Sequence, residues 1–183
     1  QSRGLGDVYK RQVLGVYIGT IVLLNIPSVQ QVMSVFVAEE LSDLLNTRVT
    51  IGRINIGLLN RIIIDDVLLD DQDEQEMLKV TRLSAKFDIM PFFKGKISIS
   101  SVQLFGFNIN LQKKTPDSPP NFKFVLDAFA SNDTVKKDNS LDLRINSILI
   151  RRGRMAYHVL SEEETPGKFN AKHVQLQNII ANI

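Results

Sequence analysis

Six times between Val49 and Leu176 the chain repeats one eight-residue signature: apolar, any, apolar, any, any, apolar, any, apolar. It reads Val49-Thr50-Ile51-Gly52-Arg53-Ile54-Asn55-Ile56 in its first copy. It returns at Ile62 to Leu69, Leu78 to Ala85, Ile97 to Leu104, Leu143 to Ile150 and Phe169 to Leu176. In a chain that is 44% hydrophobic, four apolar slots match several times by chance. The intervening slots decide the matter: they are almost always polar, with Ile63, Leu68 and Leu149 as the apolar exceptions. Sustained alternation of this kind marks half-buried strands. The two adjacent polar slots would throw the second apolar pair onto the wrong face, because side chains alternate along a strand. One extra residue in a β-bulge restores the face and adds twist. The pattern therefore predicts a mainly β fold over residues 48–183, a twisted, bulged, mainly antiparallel sheet with one continuous apolar surface. Phe107, Ile109 and Leu111 prolong one strand beyond Gly106, and Tyr157 and Val159 another beyond Gly153, each glycine marking a further kink. The irregular spacing of the copies excludes a strict short-period solenoid.

Residues 1–12 stand apart. Asp7-Val8-Tyr9-Lys10-Arg11-Gln12 looks like a sequencing-library adaptor translated in frame, and such a segment does not belong in fold reasoning. The chain has 22 Lys+Arg against 20 Asp+Glu, and removing Arg3, Lys10, Arg11 and Asp7 leaves nineteen of each. A neutral remainder gives no argument for nucleic acid or for anionic lipid. Cysteine is absent, which excludes disulfides, thiolate metal sites and a cysteine nucleophile. Both natural ends are expected to lie outside this chain.

Residues 13–26, VLGVYIGTIVLLNI, carry no charge. As a helix they reach roughly 21 Å at 1.5 Å per residue, short of a hydrocarbon core of about 30 Å. A buried core helix or a signal-peptide apolar region would look the same. The expectation is a truncated transmembrane anchor, because Pro27 and Ser28 stop one helix and cap another where a cleavage site would otherwise lie. Residues 27–47 then take a helical period. Val29, Val32, Met33, Phe36, Val37, Leu41, Leu44 and Leu45 fall on one face, opposite Gln30, Gln31, Glu39, Glu40 and Asp43. Without Lys or Arg on its polar face, this amphipathic helix is expected to pack on the sheet rather than lie on a membrane. The lack of Lys and Arg from Val13 to Thr47 also places the rest of the chain on the non-cytoplasmic side of a bilayer.

Further on, a Pro-rich connection from Thr115 to Pro120 leads to Asn121 as a helix cap. A short helix over 121–130 carries Phe122, Val125, Leu126 and Phe129 on one side, and a mobile polar loop follows over 131–140. These helices are short relative to six strands. An apolar sheet face needs a cover, so the sheet either closes on itself as a barrel or sandwich or offers its face to a ligand.

No chemistry is legible. His158 and His173 sit at polar slots of separate strands and read as exposed bystanders. Asp70, Asp71, Asp73 and Glu74 lack the glycine and terminal glutamate of a calcium loop and read as a solvated hairpin turn. Asp65 and Asp66 occupy polar strand slots that discourage edge pairing. Arg151, Arg152 and Arg154 could touch phosphate headgroups but read as a solvated strand end. With no phosphate-binding loop, nucleophile–base pair or metal spacing, the chain is expected to be non-catalytic, without cofactor or metal.

Several stretches nonetheless carry a likeness: Leu24-Asn25-Ile26-Pro27, Val37-Ala38-Glu39-Glu40-Leu41, Ile51-Gly52-Arg53-Ile54-Asn55-Ile56-Gly57, Gly95-Lys96-Ile97, Val102-Gln103-Leu104-Phe105-Gly106-Phe107 and Pro120-Asn121-Phe122-Lys123-Phe124-Val125-Leu126-Asp127-Ala128. In order and spacing, residues 13–183 resemble the N-terminal end of AsmA-like proteins, in their translocation and assembly module (TamB-type) branch of Bacteroidota. The resemblance implies a single-pass inner-membrane protein of Gram-negative bacteria with its bulk in the periplasm. It further implies an elongated open β-groove, a β-taco, that shields phospholipid acyl chains on the way to the outer membrane. A TamA-like barrel partner would be met only through a C-terminal part that this chain lacks. Phe87, Ile97, Ile99, Val102, Leu104, Ile109, Ile145, Ile148 and Ile150 are the expected groove lining. The competing expectation is an outer-membrane protein assembly factor that pairs its sheet edge with client strands.

Overall fold

The computed structural model describes residues 3–57, 60–88, 97–131, 141–142 and 147–182. Helix α1 (Arg3–Leu24) takes in the uncharged segment and most of the residues before it. Helix α2 (Pro27–Leu45) leaves it at a bend of 71°. Pro27 explains the break, since it has no N–H to continue one helix but suits the first turn of the next. Ser28 does not cap α2 as expected. Ile26 holds that place in an extended conformation, and no side chain caps the helix. At the other end Asn46 turns left-handed, at φ 48°, and returns its N–H to the Ser42 carbonyl.

Among the described residues seven strands follow: β1 (Val49–Gly57), β2 (Arg61–Asp70), β3 (Glu76–Phe87), β4 (Ile97–Lys113), β5 (Leu141–Asp142), β6 (Ser147–Val159) and β7 (His173–Asn182). Helix α3 (Lys123–Ser131) stands between β4 and β5. The order is β1-β2-β3-β4-β6-β7, with β5 beside β4. Neighbours are antiparallel except β4 with β6 and β4 with β5. β1 and β7 end at opposite margins, so the sheet is open and no barrel forms.

The doubled polar slots of β1, β2 and β3 line up across the sheet, while that of β4 forms a bulge at Ser100, where Lys86 pairs with Ser101 and Phe87 with Ile99. Ile51 pairs with Val67 and Arg53 with Asp65, while Gly52 and Asp66 drop out of the ladder together. Thr81 and Gly106 drop out at the same level between β3 and β4. The extra residue of one strand thus meets the extra residue of the next, and the register runs on unbroken through this line from β1 to β4. This differs from a bulge set against a regular partner, yet it restores the apolar face in the same way. The backbone is left-handed at Asp66, Gly106, Arg152 and Asn178, at φ 56°, 64°, 54° and 55°. At Gly106 a side chain is also excluded by space, because a Cβ would lie 2.8 Å from the Thr81 hydroxyl.

The sixth copy of the signature is out of phase with the strand it names. Phe169 lies before β7 and is 88% exposed, and the interruption falls at Asn178. In β6 it falls at Arg152, inside the strand, so Arg151, Arg152 and Arg154 are mid-strand residues and not a strand end. Of the loop expected over 131–140, Ser131 ends α3 and the rest lies outside the described residues.

The densest packing is at one end of the sheet, where Leu45, Val49, Leu69 and Met77 are buried against Leu41, Phe122, Phe124, Val125 and Ala128. Helix α2 lies closest to β1, the edge strand, and reaches Leu69 and Met77 through Leu41 and Leu45. The residues it buries there are Gln30, Ser34, Ala38 and Leu45. The expected apolar stripe is therefore only partly used. Val29, Met33, Val37 and Leu41 are half-buried, while Val32 and Phe36 stand 69% and 60% exposed. A helix laid close along a strand edge favours small and hydrogen-bonding side chains at the contact, and the 30, 34, 38 spacing supplies them.

Candidate functional site: the apolar face of the sheet

Residues paired across a sheet share a face, so the registers assign the apolar residues to rows. One row runs Ile54, Ile64, Leu83, Leu104, Ile150 and Ala181. The next runs Ile56, Ile62, Ala85, Val102 and Ile148, and beyond it Phe87 pairs with Ile99. Nearer the packed end, Leu78, Ile109 and Met155 form another. Of the expected lining, Phe87, Ile99, Val102, Leu104, Ile109, Ile148 and Ile150 fall in these rows. Each is half-buried. Ile97 enters through its backbone, paired with Leu141, but its side chain lies outside the description, as does all of Ile145.

Ile54 is buried, but the row from Ile64 to Ile150 and the row beyond it stay partly open. Helices α2 and α3 pack around Leu69 and Met77, α2 also lies along β1, and the end of α1 meets β1 at Ile56, while from β2 onward these rows stay half-exposed. The arrangement offers a strip of aliphatic side chains two rows deep and up to six strands wide.

A polar chain that the sequence did not reveal fixes the elbow between α1 and α2 against this sheet. The Asn25 amide donates to the Ile21 carbonyl at 2.8 Å and to the Ile56 carbonyl at 2.7 Å. The Gln30 amide donates to Asn25 Oδ1 at 3.2 Å and to Asn55 Oδ1 at 2.7 Å. Buried amides are held only when their hydrogen bonds are satisfied, so this chain sets where the apolar α1 departs. Along α1, Val13, Val16, Ile18, Val22 and Leu23 are all exposed, and the Thr20 hydroxyl folds back onto the Val16 carbonyl at 2.9 Å.

Three polar groups behave otherwise than expected. Asp71 is not solvated: it is 1% exposed. Its carboxylate accepts from the backbone N–H of Asp73 and Gln75 and from the side-chain amides of Gln112 and Asn121, at 2.9–3.0 Å. Burial pushes its carboxyl up, but the bonds from Asn121, Gln75, Asp73 and Gln112 outweigh it and hold the group below its ordinary value. Asn121 is accordingly not the cap of α3; its Oδ1 accepts from Gln112 N and its amide donates to Asp71 and to the Asn110 carbonyl. Asp70 is buried as well, while Asp73 and Glu74 remain exposed.

Asp65 and Asp66 do not guard an edge, since β2 lies between β1 and β3. Asp65 instead takes two bonds from Arg82, at 2.6 and 3.2 Å, which hold the guanidinium protonated above its ordinary value. Arg152 lies over the Phe105 ring at 5.1 Å. His158 and His173 are not separate bystanders but cross-strand partners whose rings meet. No protein-family model, curated protein or solved structure matches this chain.

Proposed function

We propose that this chain is the membrane-anchored start of a periplasmic lipid-shielding bridge, in which the apolar face of an open sheet covers phospholipid acyl chains in transit to the outer membrane. The reading rests on one observation: two rows of aliphatic residues cross the sheet and stay half-exposed from β2 to β6. Each buried methylene contributes about 0.8 kcal/mol. A sixteen-carbon tail therefore gains on the order of 10 kcal/mol on leaving water for such a strip. Selectivity for acyl chains needs no catalytic group. Helix α1 would hold the assembly at the inner membrane. The AsmA-like resemblance supports the same assignment, and a TamA-like barrel would be a partner only of a part beyond this chain.

The test is lipid retention. The chain carrying Ile99→Asp and Ile148→Asp, purified in a mild detergent, should lose co-purifying phospholipid while its β-sheet circular dichroism is unchanged. Lipid retained at the level of the unaltered chain would remove the basis of the reading.

A second reading has its own observation. β7 pairs on one side only, and Ile180 on it is 73% exposed. A free strand of this kind is a template for an incoming strand. As an assembly factor, the chain would crosslink unfolded outer-membrane proteins from a photoreactive residue at position 180, with little lipid bound.

A further inference from the structure

We propose that His158, His173 and Glu164 form a binding site for a divalent transition-metal ion of the zinc class. The two histidines are paired residues at the facing ends of β6 and β7, and Glu164 lies in the connection between these strands. Nδ1 of His158 is 3.1 Å from Nδ1 of His173. Oε1 of Glu164 is 3.8 Å from the first and 4.0 Å from the second. A point equidistant from these three atoms lies about 2.1 Å from each, which is the bond length of zinc to imidazole nitrogen and carboxylate oxygen.

The tautomer fits. His173 Nε2 is 2.9 Å from the Glu162 carbonyl, which can only accept, so Nε2 carries the proton and Nδ1 presents its lone pair. A ligating histidine anchored through its other nitrogen to a backbone carbonyl is the usual outer support of such a site. The connection is itself braced by Lys172 on Glu162 at 2.6 Å and by Asn170, whose carbonyl accepts from His173 N at 3.0 Å. The three ligands border a cleft of about 290 Å³ that Lys168 also lines, leaving room for a water as fourth ligand. Two imidazoles select against magnesium and calcium, which prefer oxygen alone. An ion there would fasten the 160–172 connection onto the end of the β6–β7 pair. This inference does not depend on the lipid reading.

The test is a titration of the tag-free, EDTA-treated full chain in detergent with cobalt(II) alone, followed by zinc(II). The expected result is saturation at one equivalent, with visible cobalt bands that zinc abolishes. His158→Gln and His173→Ala should each remove saturable binding. Glu164→Gln, at a side chain 69% exposed, leaves the sheet intact and should weaken binding about tenfold or more. That variant decides the case even if a histidine variant misfolds. No saturable binding near equimolar metal, or binding that Glu164→Gln leaves unchanged, overturns the site.

Discussion

Asp71 shows how far a single residue can depart from its local sequence. In Asp70-Asp71-Gln72-Asp73-Glu74 every neighbour advertises a solvated turn. Its burial is decided by Gln112 and Asn121, 41 and 50 positions away, which no local pattern contains. The same holds for His158 and His173, whose meeting depends on the β6–β7 register. Asp71→Ala would take their acceptor from the half-buried amides of Gln112 and Asn121 and from the backbone N–H groups of the exposed Asp73 and Gln75, and should cost about 3 kcal/mol, given roughly 1.5–3 kcal/mol per bond to a charged group and partial rescue by water. The urea midpoint reports it. The pH dependence has a definite sign. Because the folded state lowers this carboxyl's value, its contribution is complete above the unfolded value of about 3.9 and is lost as acidification passes through the lower folded value. The stability gap between the unaltered chain and Asp71→Asn should therefore narrow from pH 6 to pH 3; a gap that stays constant would show that the charge is not what matters.

At the scale of elements, period two was the legible signal. The strands from Val49 to Ala85 lie where the signature places them, and the doubled polar slots mark the line where the backbone steps over. The fourth copy lies in β4 with its bulge at Ser100, and half of the fifth falls outside the described residues; β6 and β7 are interrupted at Arg152 and Asn178, and the apolar match at Phe169 is fortuitous. Helix α2 was legible as a helix but not in its orientation. Apolar periodicity assumes that a helix lies on a face, whereas α2 lies along the edge of β1 and buries Gln30, Ser34 and Ala38. It also screens that edge from pairing with another chain. Two substitutions with opposite outcomes distinguish these orientations. Ser34→Leu adds volume where the residue is 2% exposed and should destabilise by about 1–3 kcal/mol. Phe36→Ser, on the stripe favoured by periodicity, should change thermal stability in detergent by no more than about 0.5 kcal/mol. The reverse ranking would place α2 the other way round.

Taken whole, the molecule leaves much of its surface uncovered. A compact protein of 20.6 kDa exposes about 8,900 Å², against 13460 Å² here. Part of the excess is α1, whose apolar side chains face outward on every side, and part is the apolar rows of the sheet. Among the described residues no single helix is long and apolar enough to cross a membrane, but α1 and α2 together, bent by 71°, meet that measure of length and composition. The bend and the amide chain through Asn25 and Gln30 argue for a division of labour. Helix α1 would enter the bilayer, while α2 stays bound to β1 and fixes the sheet at the surface. A lysine at the centre of a membrane helix costs about 2.5–3.5 kcal/mol. Replacing Ile18 and Val22 by lysine should therefore release the chain from phospholipid vesicles in a flotation gradient. The sheet should keep its circular dichroism, since α1 meets it only near Asn25 and the end of β1. Continued flotation of the double-lysine chain would move the membrane contact from α1 to the exposed Val32, Val35 and Phe36 of α2, and would tilt the whole sheet relative to the bilayer.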